Sequence, residues 1–381
     1  MKQRACTLLM LSFLAMWIAR PVAYGANVYV GTCTHSTPRY PTISAAVAAA
    51  PAEATVNICP GTYAEQVAIT KPLTLRGMTH GGAADVVIIP PKGGLVTNAS
   101  TNAGQGGFPV AAQVLSHADG PVNLIDLTVD GTTSTIDGKL SASTCNKSTL
   151  PTYVVGVFSE LTPGTYYRIE TRHQLTGSTG AISGGCGIGV YGDFVDNLSQ
   201  GLTIQSSDIH DFDYYGILMS GALSATNNFV LQGNNVAPNA TGILTWTGTL
   251  RSNFVDMYKM QSQGIAAIGV IMATGNTIQR SSTGLLLIGK GSVVRGNRFV
   301  NNGNAIEATY GGESITDNFF TGGNSSLPVP LGIELACSTG NTITGNTFQA
   351  LGIGIASPAM GTNYAVANNF YAIPEMQQFC Q

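Results

Sequence analysis

A small residue followed by Ile or Leu recurs through the second half of the chain, and its spacing limits the architectures open to it. The pairs are Gly187-Ile188, Gly216-Ile217, Gly242-Ile243, Gly264-Ile265, Gly284-Leu285, Ala305-Ile306, Gly332-Ile333 and Gly354-Ile355. Successive gaps are 29, 26, 22, 20, 21, 27 and 22 residues. A second series runs out of phase with the first, with Asn near a turn and an apolar residue two positions later. It comprises Asn276-Thr277-Ile278, Asn297-Arg298-Phe299, Asn318-Phe319-Phe320 and Asn346-Thr347-Phe348. Asn234-Asn235-Val236, Asn253-Phe254-Val255 and Asn368-Asn369-Phe370 extend it less regularly. Two independent markers sharing one period are the signature of a solenoid, whose repeats bury their apolar faces against one another.

A coil of about 22 residues accommodates three short strands and three turns, with alternate residues pointing into a shared core. Equivalent turn positions then stack about 4.8 Å apart along the axis. Asn suits such a turn because it tolerates the left-handed backbone and its amide can bond to the copies above and below. The recurring Asn is therefore read as a structural ladder.

Composition agrees. Charged residues make up 10 % of the chain, against about 25 % in a typical globular protein. Long surface helices need those charges, whereas short strands joined by polar turns need the Gly, Asn, Ser and Thr that abound here. The repeat makes one elongated domain of residues 26–381 a better reading than several compact ones.

Residues 1–25 read as a Sec signal peptide. Lys2 and Arg4 precede an apolar run from Leu8 to Ile18, followed by Pro21 and the small-residue exit Ala23-Tyr24-Gly25. That run is far shorter than the roughly 20 residues that span a bilayer, so no membrane span is expected after cleavage, and the location is secreted or periplasmic. Removing Lys2, Arg4 and Arg20 leaves 14 basic against 20 acidic residues. No run of Lys or Arg marks a nucleic-acid partner. Six cysteines remain: Cys33, Cys59, Cys145, Cys186, Cys337 and Cys380. An even number in an exported chain permits three disulfides. Proximity in sequence favours Cys33–Cys59, Cys145–Cys186 and Cys337–Cys380.

The segment Tyr40-Pro-Thr-Ile-Ser-Ala-Ala-Val47, then Val56-Asn-Ile-Cys-Pro-Gly-Thr-Tyr63, Glu65 and Leu73-Thr-Leu-Arg-Gly77, resembles the opening of pectin-lyase-like β-helix proteins. The later coils resemble the parallel β-helix repeats of many bacterial exported proteins. The resemblance implies an all-β fold, a single-stranded right-handed parallel β-helix of about ten coils. It also implies a short N-terminal capping helix, and Ile43, Ala46, Val47 and Ala50 fall on one face of such a helix over 42–50. It implies little about activity, because this fold hosts lyases, hydrolases, esterases, epimerases and inert adhesins. No motif matches the paired aspartates, Arg and Gln of a pectin methylesterase. Residues 93–120 and 131–180 lack a steady period and read as loop insertions, flanking a coil strand in Val122–Gly131.

The densest polar cluster is Asp208-Ile-His210-Asp211-Phe-Asp213-Tyr214-Tyr215. Ser207 occupies the ladder position before it, and Asp208 and His210 alternate with an inward Ile209. In pectin-lyase-like enzymes the substrate groove runs along the strand that follows and the turn entering it. The D-x-H-D order also resembles the motif of β-helix uronan epimerases and lyases, with Ile where that motif usually has Pro. Three carboxylates, an imidazole and two phenols supply a general acid and base, or oxygen ligands for Ca²⁺. The candidate catalytic residues are His210, Asp211, Asp213 and Tyr215, with Asp208, Tyr214 and Trp246 as substrate contacts. Arg168, Arg172, His173, Arg251 and Lys259 are the nearby basic residues.

Two functions stay open. One is binding or modification of an acidic or neutral polysaccharide near His210, with lyase- or epimerase-like chemistry if the protein is an enzyme. The other is a non-catalytic surface or periplasmic protein that presents a rigid face to a protein partner. The second draws on an aliphatic stripe: with each post-Gly Ile inward, Leu218, Leu244, Trp246, Ile268, Leu286 and Ile288 face outward, and the stripe turns acidic only at Glu307 and Glu334.

Overall fold

The structure, a computed structural model, describes residues 25–78, 86–102, 106–132, 135–136, 139–140, 152–176, 186–195, 198–232, 240–258, 261–322, 330–336, 338–357 and 363–379. The expected signal peptide as far as Tyr24, Cys145, Cys337, Cys380, Asn234, Asn235 and Lys259 lie outside the described residues. Among the described residues no helix is long and apolar enough to cross a membrane.

Each coil carries a first, a second and a third strand, and equivalent strands of successive coils pair in parallel. In one coil these are Thr283–Leu287, Val293–Arg295 and Arg298–Val300; in the next they are Asn304–Ala308, Ser314–Thr316 and Phe319–Thr321. The third face is a sheet of 12 strands running from Gly61–Ala64 to Asn369–Tyr371. The first and second faces merge into one sheet of 25 strands. They merge because Tyr215–Thr226 and Thr241–Arg251 run through both faces, with an irregularity in their pairing between Met219 and Ala222.

The twelve third-face strands exceed the expected ten coils, and the middle of the chain shows why. Pro109–Ser116, Tyr153–Glu160, Gly164–Tyr167 and Glu170–Arg172 are coil strands inside the stretches read as loops, which corrects that reading over those residues. Their first-face strands are covered on both sides. Val114 and Val157 enter the coil interior, while Val110, Ala112, Val155, Phe158, Ile188 and Tyr191 form a second apolar cluster outside it. A strand buried on both faces shows no alternation for sequence reading to detect.

The Gly of the repeat has a steric cause. A Cβ at Gly216, Gly242 or Gly264 would lie 2.6, 2.6 or 2.5 Å from the carbonyl oxygen of its counterpart one coil on. The same rule shifts the first marker. Gly189 meets the Gly216 oxygen, and Val190, not Ile188, pairs with Ile217. The repeat unit in that coil is therefore Gly189-Val190, and Ile188 belongs to the outer cluster.

The Asn ladder runs through Asn228, Asn253, Asn276, Asn297, Asn318, Asn346 and Asn368, with Ser207 below it. Each Nδ2 from Asn228 to Asn346 donates to the next Oδ1 at 2.9–3.1 Å, and each also donates to a backbone carbonyl of an earlier strand. The left-handed turn conformation is carried by the residue before the ladder position: Ser206, Asn227, Ser252, Gly275, Gly296, Asp317, Gly345 and Ala367. The two roles given to one Asn in the sequence thus fall on two adjacent residues. Inside, Phe299, Phe320, Phe348 and Phe370 stack at 5.1, 4.7 and 4.9 Å.

At the N-terminal end helix Ile43–Ala49 buries Ile43, Ala46 and Val47 against the core of the first coils. Glu65 explains its place in the opening motif: its carboxylate accepts from the Ile43 and Ser44 N–H groups at 2.8 and 2.9 Å, at the positive end of that helix. Cys33 and Cys59 form the expected disulfide, with S–S 2.01 Å, and Cys186 is also disulfide-bonded.

Candidate functional site

Outward side chains of the third face line up in columns, because Thr171, Ile209, Val230, Val255 and Ile278 point inward. One column reads Thr128, Glu170, Asp208, Phe229, Phe254 and Thr277 in register. In the neighbouring column His210, Leu231, Asp256 and Gln279 are in register. The same face therefore passes from a charged region to an aromatic one within two coils.

In the charged region His210 Nδ1 lies 2.7 Å from Asp211 Oδ2, and Nε2 lies 3.0 Å from Glu170 Oε1. Arg172 donates to Glu170 at 2.9 Å and to Asp130 at 2.8 Å. His173 Nδ1 sits 2.9 Å from Asp130, and Thr128 donates to Glu170 at 2.9 Å. Burial pulls the His210 pKa down, but the bonds to Asp211 and Glu170 outweigh it and raise the ring to about 10. The bond from His210 holds the Glu170 carboxyl down at about 2 despite burial. Burial alone would raise Asp130, yet bonds from Thr132, His173 and Arg172 bring it to about 2. At neutral pH His210 is thus a cation with both ring nitrogens donating to carboxylates.

The sequence candidates divide among three places. Asp208 and His210 lie on the third-face strand and Asp211 in the turn after it; His173 lies 3.9 Å from Asp211 and Arg172 bonds Glu170, whereas Arg168 makes two 2.6 Å bonds to Asp126 in the turn before that face. Asp213 lies in the interior, 3 % exposed. Its carboxylate accepts from Thr176 N and Oγ1 at 2.7 and 2.5 Å and from Gly187 N at 2.5 Å, so it ties two segments to the turn. Tyr214 and Tyr215, their rings 4.1 Å apart, pack on the outer apolar cluster of the first face. Trp246 is half-buried on the strand Thr241–Arg251 of the same sheet. Arg251 ends that strand and is exposed. Of the expected aliphatic stripe, Leu218, Leu244 and Leu286 align in register, with Ala266 between the last two, and give way to Glu307 and Glu334; Trp246, Ile268 and Ile288 lie outside that column and are partly buried.

A cavity of about 450 Å³ opens where the charged and aromatic regions meet. His210 and Asp211 form one side, and Leu231, Phe254, Tyr258 and Arg280 the other, with Gln232 and Asp256 between them. Arg280 makes two hydrogen bonds to Asp256, which also accepts from Gln279 at 2.6 Å. The Arg280 guanidinium stacks 3.9 Å above the Tyr258 ring. Sequence reading passed over this wall. It also missed Glu170, because Glu170-Thr171-Arg172 lay within a stretch read as loop. The signal was the repeat itself: Phe229 and Phe254 follow the ladder positions Asn228 and Asn253 at the offset at which Asp208 follows Ser207.

Among the described residues no group of three or more His, Cys, Asp or Glu is placed to hold a metal ion. Asp211 is bonded to His210, and Asp213 to Thr176 and the Gly187 backbone.

Residues 254–372 match the family described as "Periplasmic copper-binding protein (NosD)". That segment contains no His and a single Cys, Cys337, so its donor set does not fit a copper centre built on imidazole or paired thiolates. No curated protein matches the chain. Among solved structures, the A-module of the Azotobacter vinelandii mannuronan C-5 epimerase AlgE6 is similar, at 16 % identity and TM-score 0.60, over 88 % of this chain and 90 % of that one. The AlgE4 A-module of the same organism is similar at 17 % identity and TM-score 0.54, over 85 % and 88 %. The GH136 lacto-N-biosidase of Eubacterium ramulus follows at 11 % identity and TM-score 0.55, over 93 % of this chain and 67 % of that one. At such identities the likeness speaks for the fold. With the stacked coils, the Gly column and the Asn ladder, it gives this chain the fold of a right-handed parallel β-helix.

Proposed function

We propose that this is an exported β-helix protein that binds a polysaccharide on its third face, in the cavity between His210 and Arg280, and that His210 organises the site without acting as its base. The observation that carries the reading is the composition of that cavity. It joins aromatic walls, Phe254 and Tyr258, to fixed carboxylates and an amide, Asp211, Asp256 and Gln232. Sugars present an apolar C–H face and a rim of hydroxyls, and such a wall matches both. Similar structures named for acting on glycans, and a matched family named periplasmic, support the same direction. Against chemistry at His210 stands its bonding: both nitrogens are occupied and the ring is cationic.

The test is a glycan array with the purified protein, run with Ca²⁺ and with a chelator, followed by calorimetry on any positive glycan. Binding that Phe254→Ala abolishes, without release of unsaturated or shortened product, is the expected result. Turnover that His210→Ala eliminates would overturn the non-catalytic part, and no binding to any glycan would overturn the whole. A second reading, a protein partner, rests on the aliphatic register Leu218, Leu244, Ala266 and Leu286. Light scattering and pull-down with Leu244→Glu and Leu286→Glu check it, and a strictly monomeric protein that captures nothing removes it.

A further inference from the structure

We infer that the glycan taken by this cavity is neutral rather than acidic, and that it lies along the helix axis on a platform of Phe229 and Phe254, with Tyr258 flanking Phe254 in the same coil. The inference rests on the glycan-binding reading above and adds the class of ligand and its direction.

Charge decides the class. Around the cavity two cations, His210 and Arg280, stand among four carboxylates, Glu170, Asp208, Asp211 and Asp256. Adding Arg172 together with its partner Asp130 leaves the acidic excess unchanged. Neither cation is free. His210 is held at both ring nitrogens, and Arg280 is engaged twice by Asp256 while its plane covers Tyr258. A uronate would have to strip a cation from its carboxylate, leaving that carboxylate facing the substrate's own. A neutral sugar meets no such conflict. Its hydroxyls donate to lone pairs that Asp211 retains beyond its bond to His210.

Geometry decides the direction. Phe229 and Phe254 are in register on successive coils, their rings 5.9 Å apart. Phe229 is 53 % exposed and adds nothing to the inward-facing core, and Tyr258 stays 44 % exposed beneath the Arg280 guanidinium. Aromatic rings repeated at the spacing of strands, about 4.8 Å, make a track parallel to the axis. The alternative use of an exposed aromatic track, a protein partner, is an outcome of the test.

Binding is measured by calorimetry with two sets of probes, neutral oligosaccharides from β-glucan and mannan and acidic ones from alginate and polygalacturonate. The expected result is that at least one neutral set binds about tenfold or more tighter than either acidic set, with affinity that does not fall as salt rises. Phe229→Ala, at an exposed position where folding is not at stake, and Phe254→Ala each weaken it by about tenfold. A preference for the acidic sets, lost at high salt, would overturn this inference and leave the glycan-binding reading standing. Neutral binding indifferent to both Phe variants would overturn the platform. Failure of every glycan in both sets, with capture of a protein on the same face, would overturn the reading and the inference together.

Discussion

His210 Nε2 stands 3.0 Å from Oε1 of Glu170 on the preceding coil, while its Nδ1 stands 2.7 Å from Oδ2 of Asp211 beside it. One imidazole thus ties two coils and the following turn, as a clamp would. Its neighbours repeat the arrangement: Arg172 joins Glu170 to Asp130, and Arg168 joins its own turn to Asp126 in the equivalent turn one coil earlier. The outer face of these coils is held by ion pairs at the place where apolar wall begins.

The clamp has a defined pH window. The pKa of His210 is raised on folding, from 6.5 to about 10, so the stability it contributes is complete below the unfolded value and is lost as pH rises toward 10. Glu170 is lowered from 4.5 to about 2, so its share is complete above the unfolded value and is lost as pH falls toward 2. The pair contributes most between those two unfolded values. His210 keeps 23 % of its side-chain surface exposed, so screening by water limits the contribution to about 1–3 kcal/mol. Glu170→Gln is expected to lower the unfolding free energy by that amount near pH 6 and by much less above about pH 10. In an NMR titration the His210 ring should stay protonated from about pH 5 to 8; a midpoint near the unperturbed value would refute the clamp.

Asn297 shows what one rung of the ladder is worth. Its Oδ1 accepts from the N and Nδ2 of Asn276, and its Nδ2 donates to Ala273 O and to Asn318 Oδ1. The site is 1 % exposed, so water cannot replace the partners. Asn297→Ala leaves a backbone N–H and a carbonyl unsatisfied in the interior, at about 1–3 kcal/mol for each. Urea denaturation should show a loss of about 3 kcal/mol or more, and Asn297→Asp should lose still more by burying a charge. A loss below about 1 kcal/mol would mean that the ladder is not a source of stability.

Much of this architecture is legible before any coordinates, and the reason is physical. A Gly whose Cβ would strike the next coil, and an Asn whose amide serves the coils on either side, are constraints on residue identity, and they recur with the coil. The sequence therefore displays the period, the inward phase of Ile217 and Ile243, the N-terminal helix and the Cys33–Cys59 pairing. The middle was obscured where strands such as Tyr153–Glu160 are buried on both sides and lose their alternation. The site was half legible for a related reason. Residues adjacent in sequence, Asp208 to Tyr215, sit on one face, in the interior and on another face within a single turn. The partners that define His210, above all Glu170, come from another coil, 40 residues away.

The remaining cysteines give a direct chemical check. Cys33–Cys59 closes across the first coil, with 26 residues of separation, and Cys186 is also oxidised. We expect non-reducing peptide mapping to return Cys145–Cys186 and Cys337–Cys380 beside it. Removing the first bridge by Cys33→Ser with Cys59→Ser should cost about 3 kcal/mol by freeing the unfolded chain. Recovery of a peptide linking Cys186 to Cys337 or Cys380 would refute the proposed pairing.

Asp213 separates a structural carboxylate from a functional one. Its oxygens accept only from N–H and O–H donors, those of Thr176 and Gly187, and it sits beyond the reach of solvent. In Asp213→Asn the new NH₂ group faces a backbone N–H whichever way the amide is turned, that of Thr176 on one side or that of Gly187 on the other. The variant should therefore lose about 1–3 kcal/mol of stability, read by thermal or urea denaturation. The cavity between His210 and Arg280 does not include Asp213, so glycan affinity of the folded variant should stay within about threefold of wild type, less than half the free energy of a tenfold change or close to it. Asp211→Asn, which removes one of the two His210 partners at the cavity wall, should do the opposite: it frees a cation beside the aromatic track and raises affinity for acidic oligosaccharides. If instead Asp213→Asn abolished binding while keeping its stability, Asp213 would belong to the site and the division of the cluster into three places would fail.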